Sequence, residues 1–473
     1  MTEPLIIPRA DHPISRKDID PDALRVLHRL NESEYTAYLV GGSVRDLLLG
    51  RRPKDFDIGT DAHPYEIKKL FRNCWIIGRR FRLAHIKYGA KTIEVATFRQ
   101  NITDLPAVVT ETPADAPAEG EIDNAPEAPA PEITGAPRPR AHADEHGIVR
   151  RDNLYGTPEE DAFRRDFTVN ALFYDIATQS VIDYTGGLED LRQRRIVCIG
   201  DPTVRFTEDP VRMLRAAVFA ARLDFEMDDA VLDAIESHGY LIQKASPARL
   251  LEEYFKILRS GYAEATFRVL DGVGLLGLIT PELQDAPDLF WQTLAKLDQW
   301  RSHHPSIPAE MVNPILMGAL LVPMGFVNPH EDQLALGMLT LARKDYERLR
   351  HLLVTVPKLS DPNLPIRVQR GLPGRPSFSD AIVWLEIFGD APDAVAHWKQ
   401  IQSEMPKPEP RPRHGSSHNH GPRPAPSGPG QVHPTIASHH GGSEAHSTDP
   451  SKRRRRRRRR GGGGHSGGGT PTA

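Results

Sequence analysis

The chain has 473 residues, of which 39% are hydrophobic and 42 are proline, so we expect two to four domains together with segments too polar to fold. Its two cysteines give neither a disulfide framework nor metal-ligand spacing, and no apolar run approaches the ~20 residues of a membrane helix. The N-terminus lacks the apolar core of a signal peptide. We therefore expect a soluble cytoplasmic protein with two buried thiols and no membrane span.

The net charge of −3 is an average over two unlike parts of the chain. Residues 407–473 carry 13 Lys or Arg against three Asp or Glu, a charge of +10, which leaves −13 on the rest. A basic tail on an acidic body predicts a polyanionic partner held outside the core.

The first hundred residues predict a small mixed α/β domain. Apolar residues at helical spacing indicate a helix over residues 22–30, followed by a buried strand at 38–40. A Gly-Gly turn then precedes a helix over 44–49, with Ser43 as its expected N-cap. A further helix is predicted at 65–71, and strands are predicted at 55–58, 75–77, 85–88 and 92–98.

Beyond this region the composition changes twice. Residues 103–145 are rich in Pro, Ala and acidic side chains, which predicts a disordered insertion in a loop. Strands are expected at 169–175 and 181–184, and the pattern after residue 209 is helical, beginning with helices over 211–223, 229–242, 247–259 and 263–273. The predicted organisation is α+β: an extension at 1–20, a head at 21–200, a helical neck at 201–262, a helical body at 263–404 and a disordered basic tail at 405–473.

The densest motif combines Gly41-Gly42, Arg45 and the pair Asp55 and Asp57. Two aspartates at i and i+2 on a strand project to the same face and can share divalent metal ions. A Gly-Gly turn before a helix presents backbone N–H groups to phosphate, and Arg45 adds a charged fork. An isolated Asp-x-Asp pair is more often a solvated strand face, but the combination favours nucleotidyl transfer with two metal ions.

This segment resembles the signature of the class II nucleotidyltransferases, the family of bacterial poly(A) polymerases and CCA-adding enzymes. Residues 164–171, Arg-Arg-Asp-Phe-Thr-Val-Asn-Ala, are similar to its second motif. The resemblance implies that Asp166 lies near the ribose hydroxyls or the metals, with Asn170 framing the sugar and Arg165 near the phosphates. Residues 183–191 resemble the hinge between head and neck.

Residues 208–215 resemble the family's base-reading motif. Glu208, Arg212 and Arg215 are expected on one face near the start of a single helix. A carboxylate such as Asp209 beside a guanidinium offers an acceptor and a donor, which suits the edge of adenine or cytosine. The alternative is a plain helical salt-bridge face, worth about 0.2–0.5 kcal/mol per pair. The family commonly has arginine where Val218 stands here, which is a departure from its pattern.

Two-metal sites usually contain a third carboxylate. Glu94 lies between Ile93 and Val95 and is predicted to face the side of the neighbouring strand that carries the Asp-x-Asp pair. Asp166 competes for this role, and we expect it to be the active-site residue, with Glu94 as the second choice for a metal ligand.

Residues 78–86 bear on the choice between the two kinds of family member. This stretch resembles the segment that distinguishes bacterial poly(A) polymerases, and Arg79, Arg80 and Arg82 around an aromatic residue are candidates to grip RNA phosphates. The alternative is a basic hairpin of no special role.

The resemblance implies template-independent transfer of AMP from ATP to RNA 3′ ends, with two Mg²⁺ ions and release of pyrophosphate. It also implies a role in mRNA processing and decay, with RNA-decay proteins as candidate partners, and we expect a monomer.

Residues 453–460 are all arginine and are expected to bind RNA without sequence preference. The alternatives are a CCA-adding tRNA nucleotidyltransferase and a non-catalytic RNA-binding scaffold.

Overall fold

The computed structural model describes residues 3–78, 82–100, 155–304, 311–327, 335–361 and 363–404. The predicted insertion at 103–145, the predicted tail at 405–473, and both Arg79 and Arg80 lie outside the described residues.

An eight-stranded mixed sheet forms the head. Its strands are β1 (Leu5–Ile7), β2 (Ala37–Val40), β3 (Ile58–Thr60), β4 (Cys74–Ile77), β5 (Leu83–Tyr88), β6 (Lys91–Thr97), β7 (Leu172–Asp175) and β8 (Ser180–Asp183). They lie in the order β1-β8-β7-β2-β3-β6-β5-β4, and only β3 and β6 pair in parallel.

The sheet differs from the sequence prediction at two of its strands. Strand β1 lies in the predicted N-terminal extension and pairs with β8, but three residues are too few for a pattern to reveal a strand. The strand predicted at 55–58 begins only at Ile58, and all three of its residues are buried. A central strand covered on both faces has no reason to alternate polar and apolar residues. Asp55 and Asp57 therefore lie in the segment that leads into β3.

Both faces of the sheet are covered in part. The helices α1 (Pro21–Glu32), α2 (Gly42–Leu48) and α3 (Pro64–Leu70) pack on one face, against inward residues of every second strand position. A smaller cluster that includes Val40, Phe98, Phe173 and Ile182 covers part of the other face. Ala162 of α4 (Pro158–Phe163) completes that cluster.

The rest of the described chain is helical. The helices are α5 (Gly187–Gln193), α6 (Pro202–Glu208), α7 (Val211–Leu223), α8 (Asp229–His238), α9 (Pro247–Ser260), α10 (Ala263–Gly272), α11 (Leu275–Ile279), α12 (Asp288–Ser302), α13 (Asn313–Leu321), α14 (Arg343–Leu359), α15 (Ile366–Gly371), α16 (Phe378–Phe388) and α17 (Pro392–Glu404). Two short strand pairs interrupt them: β9 (Arg195–Ile196) with β10 (Glu226–Met227), and β11 (Ala335–Leu336) with β12 (Leu339–Thr340). The predicted α+β class, a mixed-sheet head followed by helical domains, is confirmed.

Three local predictions are wrong. The single helix expected to begin near Glu208 is two helices, because Asp209 is extended at φ −149° before Pro210. Proline disfavours the helical conformation of the residue before it and has no N–H to donate. Ser43 does not cap α2 but lies inside it, where its hydroxyl donates to the Val40 carbonyl at 3.1 Å. The strand expected from residue 169 starts at Leu172, because residues 168–170 form a 3₁₀ turn.

Cys74 and Cys198 are buried free thiols, as predicted. Among the described helices, none is both long and apolar enough to cross a membrane.

Candidate functional site

A cavity of about 620 Å³ lies where the head meets α7 and α9. Ten residues singled out from the sequence line it: Gly41, Gly42, Arg45, Asp57, Arg165, Asp166, Asn170, Asp209, Arg212 and Arg215. Five others were not predicted to bind: Arg164, Phe219, Arg222, Arg249 and Glu253. Seven arginines face four acidic residues around the cavity, so its wall carries a positive excess that suits a polyphosphate.

The Gly-Gly turn forms one wall of the cavity, between β2 and α2. Gly41 has a φ of +68°, a conformation that glycine adopts without strain, and its N–H donates to the Leu172 carbonyl at 3.0 Å. A Cβ at this position would lie 2.8 Å from Nη1 of Arg165. The turn therefore needs glycine for its backbone angle and for the close approach of a guanidinium.

Arg45 borders the cavity but is almost fully buried, with a relative exposure of 2%. Its Nη2 donates to Oδ1 of Asp46 at 2.7 Å, and its Nη1 donates to Oδ1 of Asn170. Its guanidinium also lies over the ring of Phe219, 5.5 Å from the centroid. Arg45 thus braces the floor of the cavity in this structure, and its donors already have partners.

Asn170 connects Arg45 to Asp166. Its side-chain amide donates to Oδ1 of Asp166 at 3.3 Å, and the same oxygen accepts the Phe167 N–H at 2.9 Å. Burial alone would raise the pKa of the Asp166 carboxyl, but the Arg215 guanidinium and these hydrogen bonds outweigh it and lower the pKa. Asp166 is therefore held as a carboxylate at the cavity wall.

Arg165 reaches across the entrance to the Gly-Gly turn. Its Nη2 donates to Oδ2 of Asp161 at 2.8 Å, and its Nη1 donates to the Asn170 carbonyl at 3.2 Å. Its guanidinium lies 5.5 Å from the ring centroid of Phe173. These contacts fix a cation beside Gly41, where a phosphate could bind.

Of the three predicted metal ligands, Asp57 lines the cavity, whereas Asp55 and Glu94 do not. Ile58 pairs with Val95 in parallel register, so the preceding residues, Asp57 and Glu94, lie side by side. Surrounding protein displaces part of the hydration of Asp57, and the carboxylates of Glu94 and Asp55 repel its charge, which together raise its pKa to about 6. Asp57 is therefore the carboxylate most affected by negative neighbours.

The other two predicted metal ligands are also exposed to solvent. Asp55 has a side-chain exposure of 73% and lies 3.9 Å from Nζ of Lys54, and Glu94 lies 3.4 Å from Nε2 of His85. The described residues contain no group of three or more His, Cys, Asp or Glu side chains close enough to hold a metal ion as they stand.

The predicted base-reading residues are engaged with different partners. Oδ2 of Asp209 accepts from Arg249 at 2.6 Å. Arg212 donates to Oε2 of Glu208 at 2.8 Å, so the predicted i, i+4 pair forms despite the break between α6 and α7. Arg215 donates through Nε to Asp166 at 2.6 Å. In this structure the Asp209 carboxylate is therefore paired neither with the Arg212 guanidinium nor with the Arg215 guanidinium.

The unpredicted cavity residues differ in how far the sequence could reveal them. Phe219 and Arg222 follow Arg215 at i+4 and i+7 on α7, so helical periodicity alone could have found them. Arg249 and Glu253 share a face of α9, but nothing in the sequence links that helix to the Gly-Gly turn.

Arg82, the one described residue among the three predicted RNA-gripping arginines, does not line this cavity. Arg82 is exposed, and its guanidinium lies 5.8 Å from the ring centroid of Tyr65 on α3. The roles of Arg79 and Arg80 stay predictions because both lie outside the described residues.

Comparison with known proteins gives two family matches. Residues 37–197 match the model described as the poly A polymerase head domain. Residues 224–286 match the model described as a probable RNA and SrmB-binding site of polymerase A.

Relatives of two kinds are similar to the chain. It is 45% identical over 265 residues to poly(A) polymerase I of Escherichia coli O6:H1, covering 56% of this chain and 51% of that protein. It is 33% identical over 272 residues to the CCA-adding enzyme of Bacillus pumilus, covering 57% and 58%. The chain thus spans about half the length of the curated relatives it matches.

Among solved structures, the fold is similar to that of the Bacillus stearothermophilus CCA-adding enzyme in complex with CTP. The TM-score is 0.55 at 24% identity, covering 81% of this chain and 82% of that one. Residues 37–197 therefore match a poly A polymerase head domain, residues 224–286 match an RNA-binding region of the same polymerases, and this part of the chain is similar to both poly(A) polymerase I and the CCA-adding enzymes.

Proposed function

We propose that this protein transfers AMP from ATP to the 3′-hydroxyl of RNA without a template and releases pyrophosphate. The main support is the arginine-rich cavity, which brings together ten motif residues, the Asp57 carboxylate among them. The choice of AMP rests on the higher identity to poly(A) polymerase I, 45% against 33% for the CCA-adding enzyme.

In this proposal the triphosphate lies against the Gly-Gly turn. Arg165 is already fixed beside Gly41, and its guanidinium would contact the phosphates. Arg45 would not contact the phosphates directly. Instead, the buried Arg45 side chain would hold Asn170 and the Gly-Gly turn in place. Such fixed charges stabilise a transferring phosphoryl group without reorganising during the reaction.

Asp55, Asp57 and Glu94 would hold the two Mg²⁺ ions. They are hard oxygen donors, and divalent cations would relieve both causes of the raised pKa of Asp57, first its loss of hydration and then the repulsion by Glu94 and Asp55. When bound, the ions supply activation of the 3′-hydroxyl and neutralisation of the triphosphate charge. The RNA oxygen then forms a bond to the α-phosphorus, and the bond from that phosphorus to the β-phosphate oxygen breaks.

The adenine base would lie between α7 and α9. Asp209 and Arg212 flank the cavity and could present an acceptor and a donor to the base once ATP displaces their present partners. Asp166, held as a carboxylate by Arg215, would face the ribose.

We would test the proposal by offering radiolabelled ATP or CTP separately to the purified protein with Mg²⁺. The acceptors are a generic RNA and a tRNA that lacks its CCA end. Long ATP-dependent tails on the generic RNA are expected. CTP addition confined to the truncated tRNA would favour the CCA-adding alternative, and RNA binding without incorporation of either nucleotide would favour the scaffold.

A matched pair of variants ties this activity to the proposed site. Asp57→Ala should abolish incorporation, whereas Asp61→Ala, which removes an exposed carboxylate just beyond β3, should leave it unchanged. Equal activity of the two variants would place the chemistry elsewhere.

A further inference from the structure

The face of the head sheet opposite α1, α2 and α3 is covered over one half and exposed to solvent over the other half. The cluster around Phe98 and Phe173 covers it at β2, β7 and β8. Over β4 and β5 the same face presents Trp75 and Ile77, with exposures of 48% and 47%, and the exposed Lys87. Single exposed apolar side chains are common on protein surfaces, but Trp75 and Ile77 are neighbours on one face of β4, and adjacent exposed apolar residues are typical of a binding surface.

One row of side chains crosses this open face and ends at the candidate metal ligands. Trp75 pairs with His85, and His85 pairs with Glu94, in the antiparallel registers of β4, β5 and β6. Glu94 lies beside Asp57 because Ile58 pairs with Val95. Neighbouring strands are about 4.8 Å apart, so Trp75 lies roughly 14 Å from Asp57 along the row.

The chemistry of the far end of the row suits single-stranded nucleic acid. The ammonium of Lys87 lies over the indole of Trp75, 5.2 Å from its centroid. Proteins that bind single strands combine aromatic platforms, on which bases stack, with cations that contact the phosphates. Trp75 and Lys87 supply one of each within contact distance.

We propose that the RNA primer lies across this open face, with an upstream base stacked on Trp75 and a neighbouring phosphate at Lys87. This inference rests on the proposed function, because it assumes that the 3′-hydroxyl ends at Asp57 and Glu94. A strand carries one phosphate per roughly 3.4 Å in a duplex, so 14 Å corresponds to about four stacked nucleotides.

Continuity with the candidate metal ligands favours RNA over other occupants of this face. An incoming primer must reach Asp57 from some direction, and the described row leads there directly from a stacking platform. The competing occupant is the chain's own acidic segment at 103–145, which follows β6 in sequence.

The test measures the Kd of a labelled RNA octanucleotide without ATP, so that no catalysis is needed. Trp75→Ala should raise Kd by about 5-fold or more, while Trp75→Phe should keep most of the affinity because it can still stack. Ile6→Ala is the matched control, since Ile6 is 56% exposed on β1, at the opposite edge of the same sheet. Its Kd should not change.

Two further measurements vary the primer length and the salt concentration. With a dinucleotide primer, too short to reach Trp75, the wild type and Trp75→Ala should have equal KM for the primer. Lys87→Ala should reduce the slope of log Kd against log salt by about 0.7, the value for one single-strand phosphate contact. Lys69→Ala, on α3 across the sheet, should leave the slope unchanged.

Two results would overturn the inference while leaving the proposed function intact. One is an active Trp75→Ala variant that binds the octanucleotide as tightly as Ile6→Ala does. The other is a gain in acrylamide quenching on deletion of residues 103–145 that is absent in the Trp75→Phe background and that RNA does not reverse, which would make that segment the occupant. A wild-type chain that neither binds nor extends RNA would contradict the proposed function itself, and this inference with it.

Discussion

Gly41 is needed both for its positive backbone φ and for the close approach of the Arg165 guanidinium. Gly41→Ala should lower the free energy of unfolding by about 1 kcal/mol, because an L side chain is strained at its φ of +68°. It should also raise the KM for ATP, because the new Cβ would push Arg165 away from the turn. Denaturant unfolding and steady-state kinetics measure the two effects.

Gly50→Ala separates these two causes. Gly50 has nearly the same φ, +67°, but nothing lies within 4 Å of its Cβ position. This control should therefore keep its KM for ATP, and its own loss of stability shows what a side chain at positive φ costs where it has no close neighbour. A similar rise in KM in both variants would show that the contact with Arg165 is irrelevant.

Asp57 makes folding stability depend on pH. Its pKa in the folded chain, about 6, is above the ordinary value of 3.8, so the folded state disfavours the charged form. This group therefore costs no stability below pH 3.8, costs progressively more as the pH rises towards 6, and costs the full amount above it.

Asp57→Asn removes that cost and should be more stable than the wild type at pH 8 in EDTA, although inactive. The difference should be small near pH 4, and Mg²⁺ should reduce it at pH 8 by stabilising the wild type alone. Urea unfolding at both pH values measures this. Asp61→Asn serves as the control, and a stability difference for Asp57→Asn that does not change with pH would contradict the expectation.

At the scale of elements, one carboxylate organises the start of α5. Asp183, at the end of β8, is 3% exposed and accepts the N–H groups of Thr185, Gly186, Gly187 and Leu188 at 2.9–3.1 Å. The predicted hinge between head and neck is thus a tightly bonded turn in this structure.

Asp183→Ala should lower the free energy of unfolding by about 3 kcal/mol, because it leaves buried N–H groups without acceptors. Asp183→Asn should cost less, since its carbonyl oxygen can still accept some of these bonds. Asp175→Ala, which removes only exposed turn contacts to Ala177 and Thr178, should cost less. Equal losses from Asp183→Ala and Asp175→Ala in urea unfolding would show that the turn does not depend on this carboxylate.

At the scale of the whole molecule, charge is distributed unevenly between segments. Residues 103–145 carry ten Asp or Glu against two Arg, and residues 453–460 are all arginine. The first segment should repel RNA, and the second should attract it.

Deletion of residues 103–145 should lower the KM for weakly bound RNA and reduce its salt dependence, with the KM for ATP unchanged. Replacement of the ten acidic residues by Asn and Gln in the full-length segment is the matched control, and it should reproduce the effect if charge is the cause. An unchanged KM for RNA in both variants would contradict the prediction that this acidic segment repels RNA.

The sequence alone determined the local chemistry of this protein. The Gly-Gly turn, the second motif with Asp166 and the helix that carries Arg212 and Arg215 could be predicted to lie at one site because each is a short motif of residues close in sequence, and the structure brings them to one cavity. The helices over 211–223 and from residue 247 were found because apolar periodicity reports burial on one face.

The tertiary structure decided what those segments do to one another. Arg45, predicted to hold phosphate, is buried against Asn170, and Arg215 is bonded to Asp166 rather than lying beside Asp209. Arg249 enters the cavity from a helix about 40 residues further along the chain. Such contacts depend on how whole elements pack, and a local pattern carries no information about distant partners.

The open sheet face with Trp75 likewise appeared only in the folded chain. The sequence predicted β4, β5 and β6, but the row from Trp75 to Asp57 exists because antiparallel and parallel registers align residues from four separate segments. Register is fixed by burial of the opposite face, so a shift of one residue in a strand would reverse which side chains face the core and which face solvent.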